Sequence, residues 1–252
     1  MSKANFSKIK FLYRAMKYRY KDDAPELTYI INNINSGDLV LDIGSHKGGY
    51  LHWLRKAVGN NGAVHAFEPQ PKLYEYVSQA IDAYGYKNIT LHHAGISSEE
   101  STLELFIPKA AGLTSPGATF EERVHTDNGH FIKVPVLQLD TLLADRNHPV
   151  NFIKMDVEGH EFEVFKGARD ILTKDRPKLI FECENRHLNN NMRVENVFEH
   201  LTDLGYQGFF FSKGELKSIK EFDAVKHQAI DENSEIVNKK LYSNNFVFEA
   251  NK

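Results

Sequence analysis

Leu39-Val40-Leu41-Asp42-Ile43-Gly44-Ser45-His46-Lys47-Gly48-Gly49 is the stretch whose reading decides the fold. Its first five residues form a short run that is apolar but for Asp42, and glycines follow at once. Such a continuous run suits a strand buried on both faces, as in a parallel sheet covered by helices on either side. Glycines at the turn into the next helix let the backbone approach a ligand closely, and the helix N-terminus adds N–H groups and a positive dipole end. In doubly wound sheets, nucleotide-type ligands bind there, outside the carboxyl ends of the strands.

Outward from this stretch, similar apolar runs fall at 63–67, 89–93, 151–155 and 179–183, and helix-like periodicity at 50–58, 72–84, 161–172 and 193–204. The alternation predicts an α/β fold, a doubly wound, mostly parallel Rossmann-like sheet with helices on both faces. Two segments break it. Residues 102–107 and 131–136 read as a strand pair whose connection is too long for a tight hairpin, which makes 109–130 a candidate lid. Residues 208–211 and 246–249 read as an antiparallel pair at the C-terminal edge of the sheet.

The chain has 252 residues, 41% apolar and 26% charged, which fits a globular protein and argues against disorder, collagen and coiled coil. No apolar run reaches the ~18 residues of a membrane span, and no secretory signal is evident, so a soluble cytoplasmic protein is expected. The single cysteine, Cys183, agrees with a reducing compartment. Charge is unevenly placed. The first 21 residues hold seven bases and no acid, which leaves 24 bases against 34 acids, a net −10, for the rest. Residues 1–35 are therefore expected to be a basic helical extension and 36–252 the α/β domain. In the extension Ile9, Leu12, Tyr13, Met16 and Tyr20 recur at helical spacing. They are expected to form one apolar face packed on the domain itself or on a twin subunit in a homodimer.

The glycine spacing bears on the cofactor. A dinucleotide loop is G-x-G-x-x-G, whereas Asp42, Gly44 and Gly48 make D-x-G-x-x-x-G. A carboxylate at that place would repel a pyrophosphate but suits a cationic ligand. The second strand ends in Phe67-Glu68-Pro69, with Glu68 placed 24 residues after Gly44 to accept hydrogen bonds from ribose hydroxyls. The fourth ends in Ile153-Lys154-Met155-Asp156-Val157-Glu158-Gly159-His160-Glu161. Its acids suit a helix N-terminus, yet four of them with a histidine beside the crevice exceed a capping need. Glu182 and Glu184 add to the rim, and with Asp156 they are oxygen donors that a divalent cation could use, although solvated rim acids explain them as well.

The D-x-G-x-x-x-G loop resembles motif I of class I S-adenosylmethionine-dependent methyltransferases. The I-K-x-D-x-E-G-x-E segment resembles the signature of the FkbM family of these enzymes, as do Phe67-Glu68-Pro69 and Leu139-Asp140-Thr141-Leu142. The resemblance implies S-adenosylmethionine as cofactor, bound by Asp42, Gly44, Ser45, His46, Gly48, Glu68, Pro69, Ala94, Gly95 and Asp156. It also implies O-methylation of a hydroxylated small molecule or a glycan. A hydroxyl near pH 7 needs a proton acceptor, for which Asp156 and His160 are equal candidates, with Glu158 and Glu161 beside them. Two alternatives compete. One is an NAD-dependent oxidoreductase, which the glycine spacing opposes. The other is an RNA-binding or RNA-modifying protein using the basic arm, which the −10 body opposes by repelling nucleic acid.

Overall fold

The computed structural model describes residues 6–109, 117–121, 129–189, 192–232 and 235–251. Its strands are β1 (Leu39–Ile43), β2 (Ala63–Phe67), β3 (Ile89–His92), β4 (Gly95–Ile96), β5 (Ser101–Pro108), β6 (Gly129–Leu137), β7 (Val150–Met155), β8 (Lys178–Glu182), β9 (Tyr206–Ser212), β10 (Glu215–Ser218) and β11 (Asn245–Ala250). Eight of them form one sheet in the order β10-β9-β11-β8-β7-β1-β2-β3. From β3 to β8 neighbouring strands are parallel, and β11 inserts antiparallel between β8 and β9. All five residues of β1 are buried, which the apolar run demanded. The strand order reverses between β1 and β7, and that switch point is where the crevice opens.

Helices α3 (Gly49–Val58) and α4 (Pro71–Tyr84) follow β1 and β2, the short α5 (Leu139–Leu142) follows β6, and α6 (Glu161–Lys166) and α7 (Val194–Asp203) follow β7 and β8. Two large apolar clusters result. One is built around Phe165, Phe181, Phe198 and Phe246. The other is built around Leu27, Val40, Leu54 and Phe152. Phe210 belongs to the first of these, so it fills core.

The structure changes several expectations. The β9–β11 pair is antiparallel as expected, but it is not the edge, because the short hairpin strand β10 pairs outside β9. Strands β5 and β6 pair along eight residues, and with β4 they form a separate three-stranded sheet. The helix expected over 161–172 stops at Lys166. A Cβ at Gly167 would lie 2.1 Å from the Ser97 carbonyl oxygen, so the chain is pressed against a neighbour there. A π-turn, Ile171–Asp175, follows, and the Asp140 carboxylate accepts hydrogen bonds from the Asp170 and Ile171 N–H groups at 2.8 and 3.0 Å.

The basic arm folds as α1 (Lys8–Lys17), a π-turn (Tyr18–Asp22) and α2 (Ala24–Asn33). It packs on its own domain by a face beside the expected one, although Met16 of the expected face also packs against the core. Phe11 and Ala15 are buried, and Trp53 of α3 donates its indole N–H to the Ala15 carbonyl at 2.8 Å. Burying a phenylalanine contributes roughly 1.5–3 kcal/mol, enough to dock one helical turn. Ile9, Tyr13 and Tyr20 of the expected face are instead 81%, 68% and 70% exposed. Periodicity found an apolar stripe but could not tell which of two stripes faces the core.

Candidate active site

A cavity of about 420 Å³ opens at the switch point. Of the expected cofactor residues, Gly44, Ser45, His46, Glu68, Pro69, Ala94, Gly95 and Asp156 line it. The glycine turn fits here for steric reasons. Gly44 has φ +78°, and a Cβ on it would sit 1.9 Å from the Asp156 carbonyl oxygen, so β1 and β7 can converge only on a glycine. Gly48 is not in the cavity wall. A Cβ there would come within 2.8 Å of the Phe11 ring, and one on Gly49 within 2.5 Å of Tyr18. Both glycines admit the arm; Gly49 also lines the cavity, whereas Gly48, expected to face the ligand, does not.

Asp42 is also outside the wall. It is wholly buried, 3.5 Å from the Lys154 ammonium, which in turn donates to the Gly44 carbonyl at 3.0 Å. Its charge is therefore balanced within the protein and does not supply the field for a cationic ligand, which corrects the argument made from sequence. Burial alone would lower the Lys154 pKa, but Asp42, Asp156 and Glu182 hold it above its ordinary value. A lysine in an otherwise apolar buried strand needs a partner, and that was the signal available to find it.

Glu68 is buried at the end of β2 and accepts backbone N–H groups from His46 at 2.8 Å and Gln70 at 2.9 Å. Burial pushes its pKa up to about 8, against the pull of those two N–H groups. One carboxylate thus ties the glycine turn to the second strand end.

Asp156 and Glu158 line the cavity; His160 and Glu161 do not. The Asp156 N–H bonds the Ile43 carbonyl at 2.9 Å, which fixes the residue opposite the glycine turn. Burial raises the Asp156 pKa to about 6, with Lys154 opposing and Glu158 adding to the rise. Glu158 pairs with His187 Nδ1 at 2.8 Å. His160 lies beneath the wall, 6% exposed, with Nε2 3.0 Å from the Ser97 hydroxyl and Nδ1 2.9 Å from Glu121. Both ring nitrogens are engaged in joining Ser97 and Glu121 to the acidic turn, so the geometry gives His160 a positioning place. Glu161 is 1% exposed, accepts the Gly159 N–H at 3.0 Å, and is raised to about 8 by burial.

Of the expected lid, residues 110–116 and 122–128 lie outside the described residues. Ala118 and Phe120 line the cavity, and the Thr119 hydroxyl donates to the Glu158 carbonyl at 2.7 Å. Three further residues were missed in the sequence: Tyr18, Asp22 and Asp23, which bring the arm into the wall. Nothing in the sequence links them to the motifs. Lys47, Lys154, Glu182 and Asn245 also line the cavity. Glu184 is engaged elsewhere: although burial works to raise it, Arg186 at 2.5 Å, with His187 and the Tyr242 hydroxyl, holds its pKa down to about 2. Among the described residues, no group of three histidine, cysteine or acidic side chains is arranged to hold a metal ion.

A mostly parallel sheet with its strand reversal, a glycine turn and an acid at the second strand end make a Rossmann-like fold of the kind that binds a nucleotide-type cofactor at the switch point. The family model for the methyltransferase FkbM domain matches residues 42–207, about two thirds of the chain, and the chain belongs to that family. Methyltransferase 1 of Beauveria bassiana is 22% identical over 170 residues, 62% of this chain and 68% of that protein. Hexuronic acid methyltransferase AglP of Haloferax volcanii is 27% identical over 162 residues, 64% of this chain and 62% of that protein. The crystal structure of methyltransferase FkbM from Methylobacillus flagellatus superimposes with a TM-score of 0.53 at 16% identity. That superposition covers 95% of this chain and 54% of that one.

The cofactor of this family is S-adenosylmethionine, and the residues present fit it. Glu68, the turn from Gly44 to Lys47, and Ala94 with Gly95 all line the cavity that would hold it.

Proposed function

We propose that this chain methylates a hydroxyl oxygen of a sugar or other polyhydroxylated molecule, with Asp156 as proton acceptor. S-adenosylmethionine supplies, when bound, a methyl group on a sulfonium sulfur open to attack by oxygen. The protein's own task is to place the hydroxyl and take its proton as the carbon–oxygen bond forms. Asp156 carries this reading: it is a half-buried carboxyl at the end of β7 that lines the cavity at the switch point, with a pKa of about 6. At neutral pH it is ionised yet more basic than an ordinary aspartate. His187 steadies Glu158 beside it, and Phe120 closes one wall against water.

AglP is named for a hexuronic acid, which supports a sugar as acceptor. The cavity is also lined by Asp22, Asp23, Glu158 and Glu182, with Lys47 and Lys154 among them, groups that can donate hydrogen bonds to the hydroxyls of a sugar and accept them in return. The test is transfer of labelled methyl from S-adenosylmethionine into fractionated cell extract, with mass spectrometry identifying the acceptor. Asp156→Asn should reduce transfer by about 10²- to 10⁴-fold. A variant as active as the native chain would refute Asp156 as the proton acceptor.

A further inference from the structure

We propose that the outer face of α1 docks on an anionic lipid surface. Helix α1 has two apolar faces. Phe11 and Ala15 are buried against the domain, while Ile9 and Tyr13, with Tyr20 in the π-turn beyond, are among the most exposed large apolar side chains described. At about 100° per residue, Ile9 and Tyr13 fall on one line of the helix, and Met16, further along it, is half-buried against the domain. Lys10 and Lys17 flank that line on one side and Lys8 on the other.

An apolar stripe between rows of basic side chains is the pattern of a helix lying in a membrane interface, where lysine stems reach past the apolar face to the headgroups. Lys8 sits over the Tyr84 ring and Lys17 pairs with Asp22, while Lys10 and Lys21 are exposed and make no ion pair among the described residues. A second copy of the chain is a poor occupant. A two-fold contact would set this face against itself, bases on bases, and the first 21 residues have no acid to relieve the repulsion. The remaining chain, at −10, would be held off an anionic surface, so contact is confined to the arm. Tyr18, one residue past α1, lines the cavity, so the docked helix leads directly into the acceptor wall.

The test is co-sedimentation of the full chain with vesicles of phosphatidylcholine alone or mixed with phosphatidylglycerol. The native chain should sediment with the mixed vesicles only. Ile9→Glu/Tyr13→Glu should weaken this at least about tenfold, and Lys10→Glu/Lys21→Glu by several-fold per charge, both with unchanged melting temperature. Three results would overturn the proposal: a native chain that stays in the supernatant, an Ile9→Glu/Tyr13→Glu variant that binds as well as native, or a dimer in ultracentrifugation that this variant dissociates. Calorimetry with S-adenosylhomocysteine on the same samples reports the cofactor site separately, so loss of one property is distinguishable from loss of the other.

Discussion

The two sides of the cavity are built differently. The side we assign to the cofactor comes from short segments at the ends of β1, β2 and β3, with the buried acid Glu68 among them. The side we assign to the acceptor comes from distant segments: Tyr18, Asp22 and Asp23 from the arm, Phe120, then Glu182 and Asn245. Recognition by backbone requires glycines at fixed places and so leaves a motif. Recognition by side chains from scattered segments leaves none.

The strongest way to break this comparison is Asp42→Asn. It strips the buried Lys154 of its closest counter-charge, which should cost about 3–5 kcal/mol and lower the melting temperature sharply. S-adenosylhomocysteine affinity should fall with it, because Lys154 also holds the Gly44 carbonyl. A normal melt and normal binding would show that the glycine turn stands without this pair.

Phe11→Ala tests the other side. Emptying that site should cost about 3 kcal/mol by chemical denaturation and reduce transfer, while leaving cofactor affinity within a few-fold. Equal loss of cofactor binding would mean that the arm belongs to both sides.

The pH profile sharpens the role of Asp156. Transfer should fall about tenfold per pH unit below about 6, where its carboxyl becomes protonated, and Asp156→Asn should lack that limb. A native profile flat down to pH 5 would remove it as the acceptor.

Glu161→Gln gives the smallest effect. The folded pKa of Glu161 lies above its ordinary value, so its contribution to stability is present at low pH and lost as pH rises from about 4.5 towards about 8. The variant should therefore melt at a higher temperature than native at pH 9 and alike at pH 5. Transfer should be unaffected, since Glu161 does not line the cavity.

Much of the fold was legible because the β1, β2, β7 and β8 runs are continuous and apolar, and only a buried parallel sheet absorbs such runs. The short strand β10 escaped because Glu215 to Ser218 has no apolar pattern; it exists by hairpin pairing with β9. In the site, Glu68 and Asp156 were legible as strand-end acids. His160 was read as a catalytic candidate because a histidine's ordinary pKa suits proton transfer, but chemistry of type says nothing of direction, and its ring points to Ser97 and Glu121. The arm's docking face was misread for the same reason. Phe11 and Ile9 are equally apolar, and only the glycines at 48 and 49, which make room for Phe11 and Tyr18, decide which face turns inward.

The most direct test is calorimetric titration of S-adenosylhomocysteine into the native chain, Glu68→Ala and Asp156→Asn. The expected result is one site per native chain, affinity at least about tenfold weaker in Glu68→Ala, and affinity in Asp156→Asn within about threefold of native. Absence of binding to the native chain, or equal loss in both variants, would contradict a cavity whose cofactor side binds and whose Asp156 takes the proton.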